Sequence, residues 1–329
     1  MLKMGSGFLP KNLIRASAGV AILAAIPALL LANPPLLPQS EEEAAEQAAQ
    51  KIELGDLTTA RRLLDAAVGR HPRSARLHKL LASLEFKEQH FDAMRLELQR
   101  ALESDPEDAE ARLDLGLLEL SQRRYSRAIP YLESYVRLKP RDAQGYLLLG
   151  RAYLNSNRTS QAEEEIRRAL ALDPSLPMAH HDLGYAEITQ GRKEAALEEF
   201  RKEIELNPAL EDAYVRAGTI ELERGRVTEA AALLRQALAR NPENAAAHFE
   251  LGRTYLKQRK LDAAEAEFRQ VLALDATLIR ARYGLAQALQ AAGRHDEAQR
   301  EFKLFSELLA RSRSSQAGQA GGSASSDSL

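Results

Sequence analysis

The stretch DPSLPMAHHDLG, residues 173–184, sets two adjacent histidines between two aspartates, residue types that hold metal ions or relay protons. A second set of carboxylates, Glu85, Glu119, Glu187 and Glu221, is of the kind that works in pairs as general acid and base. Spacing argues against both readings. Neighbouring positions on a helix point about 100° apart, so His180 and His181 are poorly placed to share one ion, and Asp182 points elsewhere again. Catalysis needs one singular site, whereas the glutamates recur unit after unit alongside His90, Arg124, Arg158, Arg192, Arg226, Lys260 and Arg294. They are expected to be solvated or ion-paired structural positions. The chain has no Cys, which removes thiol nucleophiles, disulfides and Cys-ligated zinc. It also lacks an HExxH pair, a phosphate loop and a G-x-S-x-G turn. No metal and no cofactor are expected.

The elements that carry these residues follow a period of 34. Prolines fall at Pro72, Pro106, Pro140, Pro174, Pro208 and Pro242, and a small residue at Ala48, Ala82, Gly116, Gly150, Gly184, Gly218, Gly252 and Ala286. Another small series runs from Ala60 through Ala196 to Ala298, broken only by Met94, and a large apolar series runs from Leu64 through Phe200 to Phe302. Ladders that hold phase over eight units mean a solenoid of stacked repeats. Within 177–210 the apolar residues Ala179, Leu183, Ala186 and Ile188 recur near helical spacing. Gly191 and Arg192 break the run, and Ala195, Ala196, Phe200 and Ile204 resume it. Each unit therefore reads as two helices that approach closely at the small residues, with the large residue filling the space beside them. Ser40 to Glu43 is a capping box that opens the first helix. Glu203 interrupts a ladder otherwise filled by Ala67, Ala101, Ala169, Ala237 and Val271. A buried unpaired carboxylate is costly, so its tip is expected to reach solvent and to mark a looser joint.

The first forty residues differ in kind. Lys3, Lys11 and Arg15 precede the uncharged run ASAGVAILAAIPALLLA, residues 16–32, and then the Pro-rich NPPLLPQS. This order reads as a secretory signal or an N-terminal membrane anchor over 1–32, with a linker over 33–40, and both readings remain open. Either one places the rest of the chain in the periplasm or another extracytoplasmic space, with the anchored form held at the inner membrane by residues 16–32. Residues 313–329, rich in Ser, Gly and Ala, read as a disordered tail. All 47 acidic residues follow Ser40, so the repeat region offers no general attraction to nucleic acid.

The motif L-G-x-x-Y, followed by Ala, a large apolar residue, Ala and Pro, is carried by Leu149, Gly150, Tyr153, Ala162, Ile166, Ala169 and Pro174. It recurs nearly as well at Leu251, Gly252, Tyr255, Ala264, Phe268 and Val271. In these residues the chain resembles the tetratricopeptide repeat family, over about 41–312. The eight units are 41–74, 75–108, 109–142, 143–176, 177–210, 211–244, 245–278 and 279–312. The first, with Gln47 in the Leu position, matches least well and reads as a polar cap. The resemblance implies an all-α, right-handed superhelical solenoid of helix-turn-helix repeats whose first helices line a concave groove. The groove residues it implies are Leu113, Leu117, Leu147, Arg151, His181, Tyr185, Val215, Phe249, Arg253, Arg280 and Tyr283. They make an apolar and aromatic floor with a few guanidinium groups, suited to a peptide with an occasional carboxylate. His180 falls on a neighbouring helix-contact rung with His78, Arg112, Tyr146, Tyr214, His248 and Arg282. Arg201, Arg235 and Arg269, on second helices, read as a solvated outer stripe. Some relatives grip a C-terminal carboxylate with Lys and Asn. Lys79 fits the first place, but Ser83 and Asp114 stand where Asn is required, so that activity does not carry over. The implied function is a non-catalytic scaffold of the bacterial envelope that binds a protein or peptide partner. The alternative is a periplasmic holdase for unfolded polypeptides.

Overall fold

A computed structural model describes residues 40–322, so the basic-apolar leader and most of the linker lie outside the described residues. Sixteen helices and no strand occur among them. They form successive hairpins: α1 (Glu41–Glu53) with α2 (Leu57–Arg70), α3 (Ala75–Lys87) with α4 (Phe91–Ser104), α5 (Ala109–Ser121) with α6 (Tyr125–Leu138), and α7 (Ala143–Asn155) with α8 (Thr159–Leu172). The series continues as α9 (Ala179–Thr189) with α10 (Lys193–Leu206), α11 (Glu211–Glu223) with α12 (Val227–Arg240), α13 (Ala245–Lys257) with α14 (Leu261–Leu274), and α15 (Ile279–Ala291) with α16 (His295–Gly322). The chain divides after Pro174 into two compact units, an N-terminal half holding α1–α8 and a C-terminal half holding α9–α16. Within each half the second helix of a hairpin packs on the first helix of the next, as stacked repeats require.

The helix ends show how the sequence sets this period. Ser40, Ser74, Asp108, Asp142 and Asn244 cap first helices by accepting a backbone N–H with the side chain. Between the two helices of every repeat one residue turns left-handed: Gly55, Gln89, Arg123, Asn157, Gly191, Gly225, Arg259 and Gly293. The next N–H then reaches back five residues, as from Asp56 to the Lys51 carbonyl at 2.9 Å and from Lys260 to the Tyr255 carbonyl at 2.9 Å. This rung is only half visible in sequence, because three of its members are Gln or Arg. The hairpins close where the small and large ladders meet. A Cβ on Gly184 would lie 2.9 Å from the Phe200 ring, and one on Gly150 would lie 2.5 Å from Ile166, so only glycine lets those helices sit so near.

Two expectations need correction. The repeat of α9 and α10 is irregular, because Leu176, Pro177 and Met178 provide no capping side chain; Met178 takes φ 69° and α9 starts two residues late, at Ala179. Glu203 repairs this. Its carboxylate is 0 % exposed and accepts from the Met178 N–H and the His181 N–H, each at 3.2 Å. The odd glutamate of the Ala ladder therefore sits in the joint as a borrowed cap for α9 and does not reach solvent, since the two N–H donors and the helix dipole compensate its burial. At the C-terminus α16 continues as helix to Gly322, ten residues into the segment read as disordered, because adding a turn to an existing helix costs far less than starting one.

Candidate interaction face

The recurring glutamates are buried and paired. In the N-terminal half, Arg61 of α2 reaches Glu85 of α3 at 2.5 Å and Glu88 at 2.6 Å, and Arg95 of α4 reaches Glu119 of α5 at 2.5 Å. In the C-terminal half, Arg192 binds Glu187, and Arg201 of α10 reaches Glu221 of α11 at 2.7 Å. All four carboxylates are buried. They stand where Tyr153 stands, and Tyr153 makes the comparable link through its hydroxyl to Glu133 at 2.5 Å. At Glu85, Glu119, Tyr153 and Glu221 the rung therefore ties a repeat to the one before it, by ion pair or by hydroxyl, whereas Glu187 pairs within its own repeat. Arg201 is exposed, as are Arg235 and Arg269, and its guanidinium at the same time clamps Glu221 of the next repeat. Glu85, Glu88 and His90 bring ligand atoms within 4.8 Å of one another, but the Arg61 guanidinium already supplies the positive charge between the two carboxylates.

The histidines resolve in the same way. His78 and His248 each meet a glutamate of the following helix at 2.6 Å, Glu97 and Glu267, and each meets the carbonyl of the proline six residues earlier, at 3.0 and 2.9 Å. Arg112 and Tyr214 make the same return to Pro106 and Pro208. His180 follows the pattern with Glu199 at 2.6 Å. His181 is different, because both ring nitrogens face carboxylates: Nε2 meets Asp212 at 2.8 Å and Nδ1 meets Asp182 at 3.3 Å. Two acceptors require two N–H groups, hence the imidazolium. Burial by itself would push the ring pKa down; the two aspartates outweigh it and hold it up at about 9. Burial likewise opposes the Asp212 charge, but His181 and Arg216 bring its pKa down to about 2.

Of the expected groove residues in the N-terminal half, Leu117 and Leu147 are core. Leu147 is 0 % exposed and Leu117 packs with Ala128, Leu132 and Leu148. Leu113 and Arg151 are half-buried. Lys79, on α3, is held by Asp108 at 2.8 Å and Glu110 at 3.1 Å. In the C-terminal half His181 and Val215 are buried as well, while Tyr185, Phe249 and Arg253 are half-buried and Arg280 and Tyr283 are exposed. These last residues associate as cations on rings. Arg216 lies 5.2 Å from the Tyr185 ring centre, and Arg253 and Arg280 lie 6.0 and 5.5 Å from that of Phe249. Tyr283 leans on Phe302 and Phe305 at 5.8 and 5.2 Å. Arg216 was missing from the sequence expectation, although its spacing from Asp212, one helical turn on, was a readable signal.

Comparison with known families matches the tetratricopeptide repeat over residues 46–93, 81–143, 147–211 and 215–279, and a second tetratricopeptide repeat description over 279–302. The chain belongs to the tetratricopeptide repeat family, a family of interaction scaffolds that bind protein or peptide partners. No curated protein matches it. Among solved structures, the Cut9–Hcn1 hetero-tetramer of the APC/C aligns at TM-score 0.54 and 18% identity, over 77% of this chain and 50% of that one, and shares the fold. MamA from Desulfovibrio magneticus RS-1 aligns at TM-score 0.48 and 22% identity, over 53% and 99%. YrrB, described as a TPR protein with an unusual peptide-binding site, aligns at 0.49 and 20% identity, over 60% and 97%.

Proposed function

We propose that the chain is a non-catalytic scaffold or adaptor of the bacterial cell envelope that holds a peptide or protein segment in the concave groove of its first helices. The observation that carries this reading is a division of labour. The buried carboxylates and histidines serve as clamps between and within repeats, while Tyr185, Phe249, Arg253, Arg280 and Tyr283 leave aromatic and guanidinium surface accessible on the first helices α9, α13 and α15. Aromatic and Arg side chains are the groups that most often dominate binding energy at interfaces. The acid-free basic-apolar leader supports an extracytoplasmic location. Among the described residues no helix is long and apolar enough to cross a membrane, so any anchoring rests on the leader.

A photo-crosslinking amino acid placed at Tyr283, and separately at Arg235 on a second helix, tests the reading in the native cell. One product of fixed stoichiometry from position 283 is expected. Products from position 235 alone would overturn the groove assignment, and a broad smear of clients from position 283 would replace the adaptor with a holdase. A periplasm-dependent reporter fused after residue 312 tests the location. Activity no higher than that of a leaderless control would remove it.

A further inference from the structure

The C-terminal half concentrates positive charge on one stripe of a chain whose formal net charge is −2. Phe249, Arg253 and Lys257 follow each other at four-residue intervals on α13 and so share a helix face; Arg280 and Tyr283 sit three apart on α15, which packs against α13. Two guanidinium groups converge on one ring, with Arg253 6.0 Å and Arg280 5.5 Å from the centre of Phe249. Gathering like charges costs energy unless an anion is shared between them. Glu250 meets Arg253 at 2.7 Å and is also within electrostatic reach of Arg280, so one carboxylate stands against two guanidinium groups and leaves one positive charge in excess. Arg280 is exposed, and among the described residues no carboxylate lies within ion-pair distance of it. Lys257 donates to a backbone carbonyl, that of Leu222 at 3.0 Å, and among the described residues no carboxylate lies within ion-pair distance of it. Beside this surplus stands Tyr283, 43% exposed and braced by Phe302 and Phe305, an apolar surface three residues from the exposed Arg280 guanidinium.

Resting on the groove reading above, we infer that the α13–α15 stripe is a subsite for an acidic peptide segment, in which a partner Asp or Glu docks on Arg280 and an adjacent apolar side chain seats against Tyr283 and Phe249. Charge complementarity selects the partner. A carboxylate fits the guanidinium fork in a bidentate pair and neutralises the excess that Glu250 leaves, and the neighbouring ring faces strengthen the pair by excluding water. A basic segment would add a further like charge to the stripe.

The test begins with selection of a randomised short-peptide library on the purified repeat region carried on the full chain. An enriched peptide, its Glu→Lys counterpart and a single-stranded oligonucleotide of matched charge are then titrated by fluorescence anisotropy. The proteins are wild type, Arg280→Glu, Arg280→Gln and, on a second helix, Arg235→Glu, each checked for an unchanged melting midpoint. Expected are enrichment of Asp and Glu, a loss of about tenfold or more for Arg280→Glu with a smaller loss for Arg280→Gln, and no loss for Arg235→Glu. The Glu→Lys peptide should regain affinity on Arg280→Glu. Enriched peptides without acidic preference, bound equally well by Arg280→Glu, would overturn the acidic subsite while leaving the groove in place. An oligonucleotide that displaces the peptide at equal concentration would overturn the peptide assignment. Failure to enrich any peptide would overturn the groove reading and the subsite together.

Discussion

Replacing Glu203 with Ala removes both acceptors at the start of α9 and leaves a buried and a part-buried N–H group unpaired, at an expected cost of about 1–3 kcal/mol in urea unfolding. Glu203→Gln keeps one carbonyl oxygen and should fall between. Equal stability of wild type and Glu203→Ala would show that the cap is idle. That Glu203 was anomalous could be read from its ladder, and Leu176, Pro177 and Met178 announced a helix start without a capping side chain. What the sequence did not convey was that one defect answers the other, because a repeat register names a rung and not the backbone atom facing it. His181 gives a second residue-scale expectation. Its folded pKa, raised to about 9 from an ordinary 6.5, contributes stability that is complete below pH 6.5 and lost as pH rises through about 9. Asp212, lowered to about 2 from 3.8, contributes above pH 3.8 and loses its share as pH falls through about 2. The two shifts share the His181–Asp212 contact, with Asp182 adding to the first and Arg216 to the second, so they are not summed and the contribution is on the order of 3 kcal/mol. Denaturant midpoints should fall between pH 6.5 and about 9 in the wild type and less so in His181→Gln; parallel pH profiles would contradict the bridge.

At the scale of the element, the left-handed turn residue is the feature that decides whether a hairpin closes without strain. Gln89 at φ 62° and Arg259 at φ 60° hold a conformation that costs non-glycine residues about 1 kcal/mol or more. Gln89→Gly and Arg259→Gly should each raise unfolding stability by roughly 0.5–1 kcal/mol, the gain being reduced by the greater freedom of glycine in the unfolded chain. A loss at both positions would mean that their side chains do more at the turn than the backbone strain costs. The helices themselves were legible because Pro, Gly and the large apolar residues repeat at 34. The turn rung was legible at Gly55, Gly191, Gly225 and Gly293 and hinted at by Asn157, whereas Gln89, Arg123 and Arg259 look like ordinary surface residues. The ion-pair links across helices, Arg61 to Glu85 and Arg201 to Glu221, were half legible: the glutamates stood out, while their partners are arginines like any others on a second helix.

For the molecule as a whole, a stack in which each repeat buries its faces against its neighbours should respond locally to damage. Ala196 is fully buried in the α9–α10 hairpin, and Ala196→Arg should cost about 1–3 kcal/mol or more, with hydrogen-exchange protection lost most at α9 and α10 and progressively less toward α15. Uniform loss across the C-terminal half would contradict a quasi-linear array. For the proposed interaction face, the sequence conveyed helix register but not burial. The register picked out which side of each first helix Leu117, Leu147, Tyr185 and Tyr283 occupy, but not how deeply the next helix covers them, so two leucines of the expected floor belong to the core. The reading stands or falls on the accessible remainder. The most direct measurement compares partner retention by two folded variants: Tyr185→Ala with Phe249→Ala and Tyr283→Ala, against Arg235→Ala with Arg269→Ala, leaving Arg201 in place because it clamps Glu221. Loss of the aromatic anchors, each worth about 1–3 kcal/mol, should abolish retention, while loss of the two exposed arginines should change it little. Retention by the aromatic variant together with loss in the arginine variant would move the working surface to the second helices.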